Sequence, residues 1–310
     1  MYLYENELIF RDFIVDAAER FQLNEEIVEK DYFVSLILKV LAHKNSNIVF
    51  KGGTSLSKAY QIIERFSEDI DLSYYVDSHG APGNSKKKLL KNQIIDALVE
   101  LGFALENEAE IRSRRSFNSY YLNYSALYNS GTVLKPMLVI ETYCHNCPFP
   151  VDEKEVSNYI YQFLKEKNLT TAIDDFPELL PFKMSVQALE RTFVDKLFAI
   201  CDKYLQNTPN KYSRHLYDLV YLSKRNLLDF AVIESTFKEV RKLLSKDPKH
   251  NPSSGDVHNI QQLVIDSLEA DFFKEDYEKN TRYLAAEIPL YEDVKSSLLI
   301  TMDQLTFLKY

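Results

Sequence analysis

Two neighbouring stretches hold most of the chemistry this sequence can do: Lys51-Gly-Gly-Thr-Ser-Leu-Ser-Lys58 and Arg65-Phe-Ser-Glu-Asp-Ile-Asp-Leu72. Gly52 and Gly53 have no Cβ, so the backbone there can approach an oxygen-rich ligand closely. Thr54 and Ser55 offer hydroxyls and N–H groups where a helix should begin, an arrangement that favours phosphate. Lys58 falls in the first turns of that helix and could reach a phosphate as a point charge. Asp69 and Asp71 are two apart on an expected strand, so both carboxylates leave one face while Ile70 and Leu72 turn inward. Convergent carboxylates beside a phosphate cradle suit Mg²⁺ in phosphoryl transfer. Asp-x-Asp alone would read as an exposed strand face or a calcium-like loop; the Gly-Gly-Thr-Ser turn one helix upstream shifts the balance to catalysis. A P-loop places Gly directly before its Lys and Ser or Thr after it. Here Lys58 follows Ser57 and precedes Ala59, which excludes that class.

Other groups carry weaker signals. Cys144-His-Asn-Cys147 looks like half of a zinc site, but a closed site needs four ligands and only Cys201 remains besides scattered His, so the thiols read as buried or idle. His215 lies among apolar residues on an expected helix and reads as packed or capping rather than as a base. Tyr120, Tyr121, Tyr124 and Tyr128 could stack bases, though strand alternation favours packing. The chain carries a net charge of −9, whereas proteins that wrap duplex nucleic acid are usually basic. A nucleic-acid partner would therefore need a local patch. Lys86, Lys87, Lys88 and Lys91 form one candidate, and Arg112, Arg114 and Arg115 another; the alternative is a solvated helix face and an exposed strand edge.

The elements that must position these residues can be read from periodicity. A helix is expected over 5–21, with Leu8, Ile9, Phe13 and Ala17 on one face. Asn24 should cap a second helix that runs through Glu29-Lys30-Asp31-Tyr32 to about Ala42. Ile48-Val49-Phe50 reads as a strand entering the Gly52-Gly53 turn, and Leu56, Ala59, Tyr60 and Ile63 recur at helical spacing. Strands are expected at Asp69 to Tyr75 and near 117–124 and 135–143, with a loop over 77–85 and a helix over 86–101 ending near Gly102. Beyond about 151 the pattern is nearly all helical apart from a short strand near 182–187, with breaks at 177–181, 208–210 and 247–256. The fold class is therefore α+β, a mixed sheet followed by helices, with domains over 1–185 and 186–310 and the active site in a cleft between them. Three cysteines are too few for a disulfide framework in 310 residues. The acidic N-terminus does not resemble a signal peptide, and no apolar run approaches the ~20 residues of a membrane span. A cytoplasmic protein without a membrane partner is expected.

The order Gly-Gly-Thr-Ser, connecting helix, Asp-x-Asp resembles the DNA-polymerase-β-type nucleotidyltransferase superfamily; 15 residues separate Gly53 from Asp69, as in one branch of it. Phe50-Lys-Gly-Gly-Thr-Ser-Leu-Ser-Lys-Ala-Tyr60 together with Glu64-Arg-Phe-Ser-Glu-Asp-Ile-Asp-Leu72 is similar to the AbiEii/AbiGii-type nucleotidyltransferase toxin family, and Glu29-Lys-Asp-Tyr32 to that family's N-terminal helix. Glu190-Arg-Thr-Phe-Val-Asp-Lys196 resembles its third motif, whose Lys falls on Lys196. Arg214-His-Leu-Tyr-Asp218 resembles the fourth, whose second Asp falls on Asp218 and whose first is replaced by His215. The resemblance spans roughly residues 28–222.

It implies a polymerase-β-like core in which Asp69 and Asp71 hold Mg²⁺ and the Gly52–Ser55 turn binds the β- and γ-phosphates of an NTP. A nucleoside monophosphate would pass to an acceptor hydroxyl, with RNA, and in particular a tRNA 3′ end, the acceptor the family suggests. Members often use a third carboxylate from a neighbouring strand; Glu141 is the candidate here, with a salt-bridged strand residue as the alternative. Lys196 would contact phosphate and Asp218 would position Lys196 or the nucleotide. A toxin role implies a cognate antitoxin. Transfer to a protein hydroxyl, or a degraded enzyme that only binds nucleotide or a partner, are the competing readings; intact Asp69 and Asp71 argue against the last.

Overall fold

A computed structural model describes residues 1–65, 67, 69–77, 80–128, 137–224, 227–284 and 288–309. Phe66 and Glu68 of the second motif, and the first residues of the strand expected from 135, lie outside the described residues. The chain forms two compact units. The first comprises Met1–Gln61 and Phe66–Val186, the second Ile62–Arg65 and Gln187–Tyr310.

The first unit opens with α1 (Glu7–Phe21) and α2 (Glu25–Lys44), then β1 (Ile48–Lys51), α3 (Gly52–Lys58), β2 (Asp69–Tyr74) and α4 (Asn84–Glu100). β3 (Ala104–Leu105), β4 (Phe117–Asn123), β5 (Met137–Tyr143), β6 (Val151–Val156), α5 (Tyr159–Glu166), α6 (Thr170–Asp175) and β7 (Phe182–Gln187) follow. The strands make one seven-stranded mixed sheet in the order β3-β4-β5-β2-β1-β7-β6. β1 runs antiparallel to β2 and parallel to β7, while β2 runs parallel to β5 and β5 antiparallel to β4. Strand side chains alternate between faces. Phe50, Ile70, Leu72, Leu138, Ile140, Tyr120 and Leu122 leave one face and join Ile37, Leu38 and Leu41 of α2 and Ile94 and Leu98 of α4 in one hydrophobic cluster. The opposite face of β2 and β5 carries Asp69, Asp71 and Glu141.

The second unit is helical: α7 (Leu189–Leu205), α8 (Arg214–Lys224), α9 (Phe230–Leu244), α10 (Ile260–Glu269), α11 (Lys274–Lys279) and α12 (Tyr291–Gln304). Its core includes Phe193, Leu197, Leu219 and Val220, with Phe198 and Phe237 stacked at 5.3 Å. The α+β expectation holds, with three local corrections. The helical pattern expected from 151 onward does not hold at β6: Val151-Asp-Glu-Lys-Glu-Val156 is an edge strand whose charges sit where an unpaired edge must be blunted. α3 stops at Lys58, so Ala59, Tyr60 and Ile63 are not helical, and Ile62–Arg65 belongs to the second unit. The fully buried stripe of α1 is Phe10, Ile14, Ala17 and Ala18, while Ile9 and Phe13 of the expected face pack half-buried against the core and Leu8 is 77 % exposed. Asn24 is the N-cap of α2 as expected, with Glu25 and Glu26 in the first turn, although its side chain makes no bond to the helix.

α2 carries an unusual load of buried polar groups. Both oxygens of Glu29 accept backbone N–H bonds, from Leu127 at 2.7 Å and Tyr128 at 3.1 Å. The Tyr32 hydroxyl donates to Glu178, which also accepts the N–H of Leu3. Asp31 forms a buried ion pair with Lys58 of α3 and accepts the N–H of Tyr159 at the start of α5. One carboxylate thus joins three helices. Removing one partner of a buried pair leaves an uncompensated charge and costs about 3–5 kcal/mol. Asp31→Ala should therefore lower the melting temperature by roughly 6–20 °C. Thermal melting followed by circular dichroism measures this, and a shift below about 2 °C would show that the pair contributes little.

Candidate active site

Gly52 is the tightest point of the site. It adopts φ +77°, a left-handed conformation that suits glycine, and a Cβ built there would stand 1.9 Å from Oδ2 of Asp71. The register explains the approach: Lys51 lies opposite Asp71 across the β1–β2 pair. On the other side of β2, Asp69 pairs with Val139 and Asp71 with Glu141. β4 extends the row, with Ser119 opposite Glu141 and Phe117 opposite Tyr143. Lys51, Asp69, Asp71, Glu141, Tyr143 and Ser119 therefore share one face of the sheet.

Glu141 accepts hydrogen bonds from the Tyr143 hydroxyl and from Ser119 Oγ at 3.3 Å, so it is held by hydrogen bonds of this face. Burial pushes the Tyr143 phenol far up, and the charges of Asp71, Glu141 and Asp69 add to it. The Lys51 ammonium lies 5.1 Å from the centroid of the same ring. Among the described residues no three His, Cys, Asp or Glu side chains are gathered into a ready-made metal cluster. The carboxylates instead form a row along neighbouring strands.

Three expectations about the first motif change. The Thr54 hydroxyl donates to the carbonyl of Asp69 at 2.6 Å, so it pins the strand that bears the carboxylates rather than facing a ligand. Ser55 Oγ donates to the Gly52 carbonyl at 2.9 Å. Lys58 does not project as a point charge: it is 8 % exposed and its ammonium is bonded to the side chain and carbonyl of Asp31. Gly53 is buried within α3.

The second unit brings together a different set. Asp218 is fully buried and receives Arg65 in a two-pronged pair, Nε to Oδ1 at 2.6 Å and Nη2 to Oδ2 at 2.7 Å. Lys196 reaches the same Oδ2 at 2.6 Å. Burial alone would raise the Asp218 carboxyl, but the charges of Arg65 and Lys196 overcome it and hold the group well below its ordinary range. Burial lowers the Lys196 ammonium against the pull of Asp218. His215, at the position where the fourth motif departs from its pattern, lies 3.4 Å from Lys196 Nζ. Burial first, then the charges of Lys196 and Arg214, push its imidazole well below the usual value. Arg65 was not singled out in the sequence, although it stands four residues before Asp69 inside the second motif; its partner lies 153 positions away, and no local pattern announces it.

The remaining candidates resolve simply. Cys144, Cys147 and Cys201 are buried free thiols. Tyr120 is core, Tyr124 packs on Phe33 at 4.7 Å, and Tyr128 faces Arg11. The two basic segments meet: Lys87 of α4 donates to Ser116 Oγ at 2.7 Å, beside the Arg112–Arg115 loop.

A family model described as "Nucleotidyl transferase AbiEii toxin, Type IV TA system" matches residues 36–294. The chain belongs to the AbiEii nucleotidyltransferase toxin family. It is accordingly a nucleotidyltransferase of a type IV toxin–antitoxin system, and the family implies a nucleotide substrate and an antitoxin partner. Among solved structures it is similar to MenT4, a nucleotidyltransferase toxin from Mycobacterium tuberculosis, with TM-score 0.63 and 15 % identity over 96 % of this chain and 89 % of that one. It is also similar to JHP933 from Helicobacter pylori, with TM-score 0.50 and 16 % identity over 91 % and 93 % of the two chains. At these identities the likeness is one of fold. No curated protein sequence matches. No helix among the described residues is long and apolar enough to cross a membrane.

Two outcomes follow from the geometry. Gly52→Ala places a methyl group on the Asp71 carboxylate and should lower nucleotide transfer by at least about 10²-fold, the scale of losing one electrostatic element of a site. Helical circular dichroism should be retained, and unchanged transfer would separate Gly52 from the site. His215 stays neutral in the folded protein, while the unfolded imidazole gains a proton below about pH 6.5. Protons bound only by the unfolded state make stability fall as pH drops, by at most about 1.4 kcal/mol per pH unit. Urea unfolding between pH 7 and 5 should show this loss, and His215→Gln should flatten it; an identical slope in the variant would contradict the burial assigned to His215.

Proposed function

We propose that the enzyme moves a nucleoside monophosphate from an NTP to an RNA hydroxyl, a tRNA 3′ end being the leading acceptor, with Mg²⁺ held by Asp69 and Asp71. The observation that carries this reading is the close approach of Gly52 to Asp71, with Glu141 in register beside it. Two carboxylates on one strand face and a third on the next strand are hard anionic donors of the kind Mg²⁺ prefers, and Gly52 lets the Asp71 carboxylate lie against the backbone of the turn, where any side chain would collide with it. When bound, the metal neutralises charge on the triphosphate as the transition state develops.

The chain's own residues do the rest. The backbone of the Gly52–Ser55 turn receives the β- and γ-phosphates, with the Thr54 and Ser55 hydroxyls fixing the turn. Ser119 and Tyr143 orient Glu141 as the third oxygen donor of the row. The acceptor oxygen bonds to the α-phosphorus, the bond from that phosphorus to the bridging oxygen breaks, and pyrophosphate leaves; a carboxylate of the row takes the hydroxyl proton. Within the second unit, Asp218 holds both Lys196 and Arg65 in one buried ion cluster. The contact of Lys87 with Ser116, next to Arg112–Arg115, supports RNA over a protein acceptor, because it brings two basic segments of an acidic chain close to one another.

Purified enzyme with each labelled NTP, Mg²⁺ and total cellular RNA or lysate tests this directly. Label should enter RNA, and Asp71→Asn, which keeps the side-chain shape and removes one charge, should reduce transfer by about 10²–10³-fold or more with an unchanged melt. Label in protein alone would replace the RNA acceptor, and wild-type transfer by Asp71→Asn would remove the metal assignment. Charge reversal at Lys86, Lys88, Arg112 and Arg114 should weaken RNA binding and flatten its dependence on salt. An unchanged salt slope would make these residues ordinary solvated surface.

A further inference from the structure

We propose that Phe117 is the stacking platform for the 3′-terminal base of a single-stranded RNA acceptor, on the carboxylate-bearing face of the sheet. The inference rests on the nucleotidyltransferase reading above, with RNA as acceptor, and adds a base subsite to it.

β4 alternates strictly. Asn118, Tyr120 and Leu122 are buried, while Phe117, Ser119 and Tyr121 leave the other face, which also carries Asp69, Asp71 and Glu141. Phe117 is 39 % exposed. A single exposed ring is common on protein surfaces, and the surroundings distinguish this one. It packs on Tyr143, with ring centroids 5.1 Å apart and planes tilted by 55°, and Tyr143 is fixed by its hydroxyl bond to Glu141. Ser119 pairs with Glu141, and Phe117 lies two residues along the same face, so Phe117 is the diagonal neighbour of Glu141. Diagonal neighbours stand about 7–8 Å apart, comparable with the reach of one nucleoside from its ribose hydroxyl to its base. The Arg112–Arg115 loop leads directly into this ring, and all three of its arginines are exposed. The loop is clamped to β4: the Arg112 N–H donates to Asn118 Oδ1 at 3.0 Å, and the Asn118 amide donates back to the Arg112 carbonyl at 3.0 Å.

The direction of the reaction assigns the occupant. The β- and γ-phosphates are placed at the Gly52 turn, on the β1 side of Asp71. In an in-line displacement the attacking oxygen enters opposite the leaving pyrophosphate. The strand order β4-β5-β2-β1 puts Glu141, and then Phe117, on that opposite side. The base beside the attacking hydroxyl therefore belongs to the acceptor rather than to the incoming nucleotide. Single-stranded RNA is held by aromatic rings that stack its bases and by cations that meet its phosphates. Phe117 supplies the first, and Arg112, Arg114 and Arg115 supply the second, in one continuous stretch of chain. A paired end would keep its last base in its own stack, so an unpaired 3′ end fits.

The test compares the wild type, Phe117→Leu and Phe117→Tyr in the full chain. The probes are a 5′-labelled single-stranded RNA ending in CCA and the same RNA with an abasic 3′-terminal ribose, with binding read by fluorescence anisotropy. Calorimetry with Mg²⁺ and an NTP analogue carrying a methylene bridge between the α- and β-phosphates reads the nucleotide site separately. The wild type should prefer the intact RNA by about 5–100-fold, the scale of one base–aromatic stack. Phe117→Leu should bind the intact RNA as weakly as the abasic one, and Phe117→Tyr should restore the preference. Phe117→Leu should leave the affinity for the NTP analogue at its wild-type value and keep its melting temperature within about 2 °C, as expected for a partly exposed site. An undiminished preference for the intact RNA in Phe117→Leu, or no preference in the wild type, would overturn the assignment. Loss of the NTP analogue instead of the RNA would give the ring to the incoming base. A lowered melt with both ligands lost would make Phe117 packing for Tyr143. If the folded wild type binds neither RNA, the RNA-acceptor reading falls and takes this subsite with it, a result distinct from equal binding of the two RNAs.

Discussion

The contact between the Gly52 backbone and the Asp71 carboxylate sets the geometry on which the rest of the site depends. A methyl group at Gly52 would stand 1.9 Å from Oδ2 of Asp71, so the turn and the strand can occupy their places only with glycine there. The contact is enforced from two sides. β1 and β2 pair with Lys51 opposite Asp71, and Thr54 of the following helix donates to the carbonyl of Asp69. Backbone pairing fixes the register, and register decides which face every side chain occupies. With Asp71 on the exposed face, Asp69 must share it. The parallel strand β5 then presents Glu141 beside Asp71 and Val139 beside Asp69.

Buried charge plays a second organising part. Asp31 with Lys58, and Asp218 with Arg65 and Lys196, are ionic groups removed from water. Such groups are weak contributors to net stability but strong penalties when separated. Each therefore defines one arrangement of its helices rather than deepening the fold as a whole. The Arg65 cluster has a further consequence along the chain. Ile62–Arg65 groups with the second unit although it connects two motifs of the first. Within that unit Asp218 receives both prongs of Arg65 and also holds Lys196.

Local patterns carried much of this structure. Apolar runs and turn residues marked β1, β2 and α4, and the two-residue spacing of Asp69 and Asp71 placed them on one face because strand geometry leaves no alternative. The family was legible in the same stretches, since their residue types and order are specific. What local pattern could not supply was partnership at long range. Lys58 reads as a phosphate cation until Asp31, on a different helix, is found bonded to it. Thr54 and Ser55 read as ligand hydroxyls until their carbonyl acceptors are known. Arg65 and Asp218 lie 153 positions apart, and only the folded chain joins them. β6 escapes local pattern for a different reason: its edge is blunted by charge, and Asp-Glu-Lys-Glu between two valines lacks the apolar alternation by which strands are recognised.

The central claim is that the exposed face of β2 binds a divalent metal together with the nucleotide. It is most directly tested by electron paramagnetic resonance of Mn²⁺ titrated into the protein with a non-transferable NTP analogue, in the wild type and in Asp69→Asn. The account predicts a bound Mn²⁺ signal that strengthens with nucleotide and is lost in Asp69→Asn while the melt stays the same. The same signal in folded Asp69→Asn, or none in the wild type, would contradict it.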